Sequence, residues 1–397
     1  MRRRALLPRL VLLAACLSMY PTRAPGDDFT PVVGSVLGAD TMAVRGSDGR
    51  SHVVYELLLT NAKAVPATLE KLEVLRPDGD GKALVSLEGA GLLAALHTLD
   101  ARPAAAATLP PNESRILFVN IDFAGPEEMP SGLRHRLEAT GAASPAARAP
   151  SQIHYPLAPL DLAGRRPPAM RSPLEGAGWV ALNGCCSGAG AHRGAIQSVN
   201  GQLFNSQRFA IDWMRLDDQG RMVVGDPAKP ESFVGYGAPV LAAAAGTVID
   251  VGDGLPDQPP GKLPDPNTIT IATVDGNHVV IDHGEGIFTF YAHLRSGSVA
   301  VKLGDAVAAG QKLGLLGNSG NTSAPHLHFH VMTGRSPLGS DGIPFEIDRF
   351  TMTQRLDDAD VDPLLAGGKV ELARSAASPI ERALPLDLTV VDFGSLR

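Results

Sequence analysis

In one stretch of the chain, residue type and spacing together suggest chemistry: Pro325-His326-Leu327-His328-Phe329-His330-Val331. In an extended strand, successive side chains point to opposite faces. One face of this segment therefore carries His326, His328 and His330, and the other carries Leu327, Phe329 and Val331. Neutral imidazole is the commonest transition-metal ligand and the usual general base near neutral pH. Three such rings in a row exceed what a half-buried strand needs for polar satisfaction, and they read as a zinc site with its acid–base groups.

The elements that position this row must be mostly strands. Among 397 residues there are 43 Gly and 32 Pro, a balance that favours short strands and turns over long helices. The hydrophobic share of 44% suits packed cores, and the length exceeds what one core usually serves, so two domains are expected. Acidic residues (42) outnumber basic ones (35), so no nucleic-acid surface is expected. The helix-borne pattern His-Glu-x-x-His does not occur in the sequence, which argues against the commonest metalloprotease architecture.

Residues 1–24 read as an export signal: Arg2, Arg3 and Arg4 precede an apolar run that is too short to span a bilayer. Within it, Leu13-Ala14-Ala15-Cys16 resembles a lipoprotein cleavage box, which would leave a lipidated Cys16 as a membrane anchor. Ordinary cleavage near Ala24 is the alternative. Either way the protein is expected outside the cytoplasm, in the periplasm or at the cell surface. Of the other cysteines, the adjacent Cys185 and Cys186 are read as two small buried thiols in preference to a bonded pair, because their bond would close a strained ring.

Residues 28–145 are expected to form a β-sandwich, immunoglobulin-like in strand spacing, with strands at Val53–Leu59, Leu69–Leu75 and Arg115–Ile121. His52, His97, His135 and His154 are scattered through it and its flank and read as structural or surface residues. Residues 146–175, rich in Ala, Pro and Arg, read as a linker. The other seven of the eleven histidines lie beyond it. Residues 176–350 again alternate strand-like runs with glycine turns, including Thr268–Thr273, and residues 351–397 read as a tail whose segment Leu384–Phe393 could form a strand packing back on the body. Asp253 to Pro266 reads as an inserted loop.

Four motifs in order then identify a family. These are Gly237-Ala238-Pro239-Val240 with Ala245-Gly246-Thr247-Val248, Phe290-Tyr291-Ala292-His293-Leu294, the glycine-rich approach from Gly304-Asp305 to Gly320, and Pro325-His326-Leu327-His328-Phe329. From about Trp179 to Phe350 the chain resembles the LytM/lysostaphin-type zinc metallopeptidases, exported enzymes that cleave peptide cross-links in bacterial cell walls. The resemblance implies an antiparallel β-sheet peptidase domain, a Zn2+ cofactor and peptidoglycan peptides as partner. It implies Asp212 and His328 as metal ligands, with His326 and His293 as catalytic imidazoles. His326 would be the general base, and His293 would orient the water or hydrogen-bond the oxyanion.

One position departs from the family pattern. Where the upstream ligand His is usual, four residues before Asp212, this chain has Arg208. A guanidinium stays protonated and has no lone pair to donate. Two replacements are open: His192, preferred because ligands converge from different segments, or His330, which occupies a position where the family typically has Glu. Arg208 and Tyr291 are assigned to the substrate wall, Arg208 through a bidentate contact to a carboxylate. The alternative to an enzyme is a zinc-free domain that binds cell wall or regulates other wall hydrolases.

Overall fold

Residues of the strand Ser51–Asn61 alternate between two buried environments, and this sets the architecture of the first domain. Val53, Tyr55, Leu57 and Leu59 face inward, against Leu69, Leu72, Val74 and Leu137 of a second sheet. The computed structural model describes residues 29–394 apart from 39, 145, 148, 163, 187, 189 and 374–376. The export signal and Cys16 lie outside the described residues.

The first sheet runs in the order Val32–Leu37, Ser51–Asn61, Ser114–Phe123, Leu96–His97. The second runs Ser151–Asp161, Gly132–Gly141, Ala67–Leu75, Ala83–Glu88. Two-residue strands extend each of them, and the pair packs as a sandwich around a single core. The boundary expected near residue 145 is corrected. Ser151–Asp161 is a full strand, paired antiparallel with Gly132–Gly141 from Ser151↔Gly141 to Asp161↔Gly132. Pro156 and Pro159 made this segment look like linker, but it is the edge strand of its sheet, where a missing N–H is tolerated.

In the second half, a twelve-stranded sheet carries the histidines. Its centre runs Gly176–Leu182, Ile211–Arg215, Leu327–Met332, Phe288–Leu294, Asn277–Asp282, Gly246–Gly252, with antiparallel pairing throughout. Leu327, Phe329 and Val331 face the main core with Trp213, Ile211 and Tyr291, as the alternation of the His strand requires. Much of the expected tail belongs to this sheet: Glu346–Arg355, Ser378–Ala383 and Thr389–Phe393 all join it, and Thr389–Phe393, within the segment expected to pack back as a strand, pairs directly with Gly176–Leu182. Its apolar residues Val390, Val391 and Phe393 are buried, which accounts for the pairing. Thr268–Thr273, expected as a strand, is a short 3-10 turn followed by further turns. Pro264 and Pro266 flank Asp265, whose side chain accepts from Asn267 N and favours the turn. Cys185 and Cys186 are joined by a disulfide, in place of the two thiols expected. Among the described residues no helix is long and apolar enough to cross a membrane.

The outer face of Ser51–Asn61 packs on the second domain. Val54, with Met42 and Val44, joins the main core there. Between them Glu56, fully buried, accepts from Arg193 Nε on Oε1 at 2.9 Å and from Arg208 Nε on Oε2 at 2.8 Å. Burial alone would raise the Glu56 carboxyl, but the two guanidinium groups outweigh it and hold it below its ordinary value. Removing one partner from such a buried ionic group typically costs about 3–5 kcal/mol. Here the group spans the two domains.

Candidate metal centre

Strand register brings the first two candidate ligands together. Asp212 pairs directly with His328, and His328 pairs on its other side with Ala292. Residues opposite one another across a sheet share a face. Asp212 Oδ1 and His328 Nδ1 are accordingly 3.0 Å apart. His326 precedes the strand by one residue and keeps the same face, with Nε2 3.2 Å from Asp212 Oδ1.

His293 reaches the site by a different device. It follows Ala292, so simple alternation would send it to the opposite face. Its backbone is left-handed, with φ of 61°, and the pairing with Asn277–Asp282 shifts register there. A bulge of this kind re-aims a side chain, and a strained φ on a non-glycine residue often marks a functional position. The result is that His293, His326 and His328 form one group of nitrogens within 4.8 Å of one another.

His192 comes from an irregular loop between strands, and its ring lands beside Asp212, Nε2 to Oδ2 at 3.2 Å. Its Nδ1 lies 2.9 Å from Asn183 O and 3.0 Å from Ala210 O. Carbonyl oxygens only accept, so Nδ1 carries the proton and donates, and Nε2 of the neutral ring presents its lone pair to the site. The same logic holds for His326, whose Nδ1 donates to Ala324 O at 2.7 Å, and for His293, whose Nδ1 donates to Ser319 O at 2.8 Å. His192, Asp212 and His328 form a second group of ligand atoms within 4.8 Å, all three buried.

The electrostatics centre on Asp212. Burial disfavours its charge, yet His192 and His326 hold its carboxyl well below the ordinary range. Burial likewise opposes charge on His192 and His326, but the carboxylate raises both. Burial dominates at His293 and at His330, each pushed well below the usual imidazole value, and brings His328 down to about 4. Asn183 Nδ2 donates to Asp212 Oδ2 at 2.8 Å and fixes the carboxylate's orientation. The sequence offered no signal for Asn183, which sits in a turn and acts through geometry alone.

His330 shares the face but does not join the cluster. Its Nδ1 lies 2.9 Å from His328 Nε2, and its own buried Nε2 has no hydrogen-bond partner. With its Nδ1 lone pair given to a metal beside Asp212, His328 would carry its proton on Nε2 and donate it to His330 Nδ1. The alternative in which His330 supplied the missing ligand is therefore corrected: it stands behind His328.

Both residues assigned to the substrate wall are corrected as well. Arg208 is buried at the domain interface, its Nε and Nη2 both already paired with Glu56 Oε2 and its Nη2 donating to Leu37 O. Tyr291 is fully buried on the opposite face, and its hydroxyl accepts from Ala243 N at 2.7 Å. The cleft over the site holds about 320 Å³ and is lined by neither of them. Its walls include Phe290, Leu263 from the inserted loop, and Asp275, whose carboxyl burial pushes up to about 6. A larger cavity of about 700 Å³, between Arg215, Thr353 and Leu372, contains none of the histidines.

Peptidase family M23 matches residues 232–339, which contain His293, His326 and His328. The chain carries a LytM-type domain of this family. The match begins after Asp212, so the departure at Arg208 and the entry of His192 both lie upstream of it. Over 65 residues the chain is 42% identical to peptidoglycan DD-endopeptidase ShyA of Vibrio cholerae, covering 16% of this chain and 15% of that protein. Over 95 residues it is 33% identical to cell division protein DipM of Caulobacter vibrioides, covering 24% and 12%. The chain thus spans a minor part of the length of these curated relatives. Among solved structures it is similar to the catalytic domain of lysostaphin from Staphylococcus simulans, at 20% identity and a TM-score of 0.24, covering 42% of this chain and 88% of that domain.

The donor set fits zinc. Two imidazoles and a carboxylate are a known catalytic combination that leaves one position open. Tetrahedral bonds of about 2.0–2.2 Å keep ligand atoms roughly 3.4 Å apart. His192 Nε2 stands 3.2 Å from Asp212 Oδ2 and His328 Nδ1 stands 3.0 Å from Asp212 Oδ1, and one ligand atom from each of the three residues lies within 4.8 Å of the others, close enough to converge on one ion. His326 Nε2 is buried with no protein partner but the Asp212 carboxylate, whose Oδ1 lies 3.2 Å away.

Proposed function

We propose that the protein is an exported zinc metalloendopeptidase that hydrolyses peptide bonds of peptidoglycan, with His192, Asp212 and His328 as metal ligands. The observation that carries the reading is His192 Nε2 beside Asp212, which offers the third ligand that Arg208 cannot be. The missing ligand is the reason to consider a zinc-free binding domain, and the position of His192 supports the enzyme instead. Peptidoglycan lies outside the cytoplasm, in keeping with an export signal at residues 1–24.

Bound zinc would supply Lewis acidity and lower the pKa of a water at its open position to about 7. The chain's own groups do the rest. His326, held by Ala324 O, presents Nε2 as the base that takes the water's proton. His293, held by Ser319 O and kept neutral by burial, presents an accepting nitrogen and orients the water. This narrows its two expected roles to one, since a neutral Nε2 cannot donate to an oxyanion. Phe290 and Ala292 form an apolar floor that limits solvent at the reacting atoms.

The test is metal content followed by digestion. The purified protein is expected to hold one zinc per chain and to release soluble peptides from purified cell walls, with loss on chelation and recovery on zinc addition. Digestion that survives complete metal removal would overturn the reading.

His330 adds a smaller expectation. An acceptor behind a metal-bound imidazole fixes its orientation and raises its basicity, and its loss typically costs about 10–100-fold in metal affinity. His330→Phe keeps an aromatic ring in the buried slot and removes the acceptor. Zinc affinity by chelator competition should fall by about that factor while the fold, checked by near-UV circular dichroism, is retained. Unchanged affinity would show that His328 needs no partner.

A further inference from the structure

Among its described residues the loop that carries His192 has no strand or helix, with turns from Ala191 to Gly194. The ring's own bonds to Asn183 O and Ala210 O set its orientation, and contacts outside the loop set the loop's course. The neighbouring residue, Arg193, is 4% exposed and reaches out of its own domain. Its Nε donates to Glu56 Oε1 at 2.9 Å, and its Nη2 donates to Tyr55 O at 2.9 Å and Val119 O at 3.0 Å. It also donates to Asn120 Oδ1, and its guanidinium lies 5.0 Å from the Phe118 ring centroid. All these partners belong to the central strands Ser51–Asn61 and Ser114–Phe123 of the sandwich domain. The second oxygen of Glu56 holds Arg208, two residues before Ala210, whose carbonyl accepts from His192 Nδ1.

We propose that Glu56 is a positioning residue for the metal centre: through Arg193 it clamps the His192 loop so that the sandwich domain completes the ligand set of the domain beside it. The proposal rests on the reading of His192, Asp212 and His328 as zinc ligands. It gives Arg208 a role that its position in the family motif does not. Arg208 docks the sandwich domain through the other oxygen of Glu56 and is not itself a tether of the His192 loop. It also assigns the sandwich domain a task in the chemistry, since a ligand on an unsupported loop adopts many positions and binds metal weakly.

Two single variants of the full chain separate positioning from mere stability, because Arg193 and Arg208 are equally buried and each ties to one oxygen of Glu56. Arg193→Met and Arg208→Met should lower the unfolding midpoint of the metal-free protein by similar amounts. Zinc affinity by chelator competition should fall about 10–100-fold in Arg193→Met, the usual scale for a lost supporting contact, and less than threefold in Arg208→Met. The visible spectrum of the cobalt-substituted protein should change in Arg193→Met alone, since it reports the ligand set directly. Glu56→Gln should follow Arg193→Met, and if it does not fold, the two arginine variants still decide. Wild-type zinc binding with equal affinity in both arginine variants would overturn the clamp and leave the metal ligands standing. A wild type that binds no zinc would overturn both.

Discussion

Replacing His192 by Ala is expected to abolish stoichiometric zinc and with it hydrolysis of cell-wall peptides. The expectation follows from ligand count. Asp212 and His328 alone leave two protein ligands, whereas catalytic zinc sites use three. Losing an outer-shell contact typically costs about 10–100-fold in affinity, and losing a ligand should exceed that. Elemental analysis after dialysis and chelator titration are the measurements. The companion variant makes the test sharp. If Arg208 merely occupied the ordinary ligand position, His192→Ala combined with Arg208→His would recover zinc. The structure leads to the opposite expectation, because position 208 is packed at the domain interface against Glu56 and Leu37 O. Recovery in the double variant, or full zinc in His192→Ala, would sink the assignment.

The sequence made the centre legible in proportion to how much of it depends on strand alternation. His326, His328 and His330 share a face because the strand period is two, and Asp212 joins them through direct pairing with His328. The apolar partners Leu327, Phe329 and Val331 went to the main core for the same reason. What alternation cannot carry was read less well. His293 reaches the site through a bulge with φ of 61°, and only the resemblance of its motif pointed to it. His192 enters from a loop whose course is set by tertiary tethers, so sequence could propose it as a candidate but not place it.

The errors have a common physical cause. Arg208 is expected at the cleft because it stands where the family has a ligand, and Tyr291 because it belongs to the motif that carries His293. Yet Tyr291 sits one residue from Ala292, and so points to the opposite face, as strand geometry demands. Arg208 pairs with a carboxylate 152 residues away in another domain, a contact with no local signature. The linker expectation failed similarly: Ser151–Asp161 takes its place in a sheet through long-range pairing, while its two prolines suggest a loop. Thr389–Phe393, with two adjacent valines and a phenylalanine, was legible as a strand because its own residues favour one.

His326→Ala separates metal binding from catalysis and carries the second large effect. Zinc should stay at wild-type stoichiometry, because His192, Asp212 and His328 are untouched, while turnover falls by roughly 10²–10⁴-fold, the scale for a removed general base. The position of His326 supports the distinction. Its Nδ1 is committed to Ala324 O, and its Nε2, 3.2 Å from Asp212 Oδ1, is buried without a hydrogen-bond partner. A nitrogen so placed is able to receive a proton without leaving the carboxylate that favours its charged form. His293 has the opposite setting: burial dominates, and Asp212 favours its charge less than the neighbouring imidazoles oppose it. His293→Ala should therefore slow turnover by disordering the water, and leave the acidic limb of the pH–rate profile in place. In His326→Ala that limb should flatten, because the group whose protonation shuts off the reaction at low pH is gone. If the limb persisted in His326→Ala and vanished in His293→Ala, the roles of the two imidazoles would have to be exchanged.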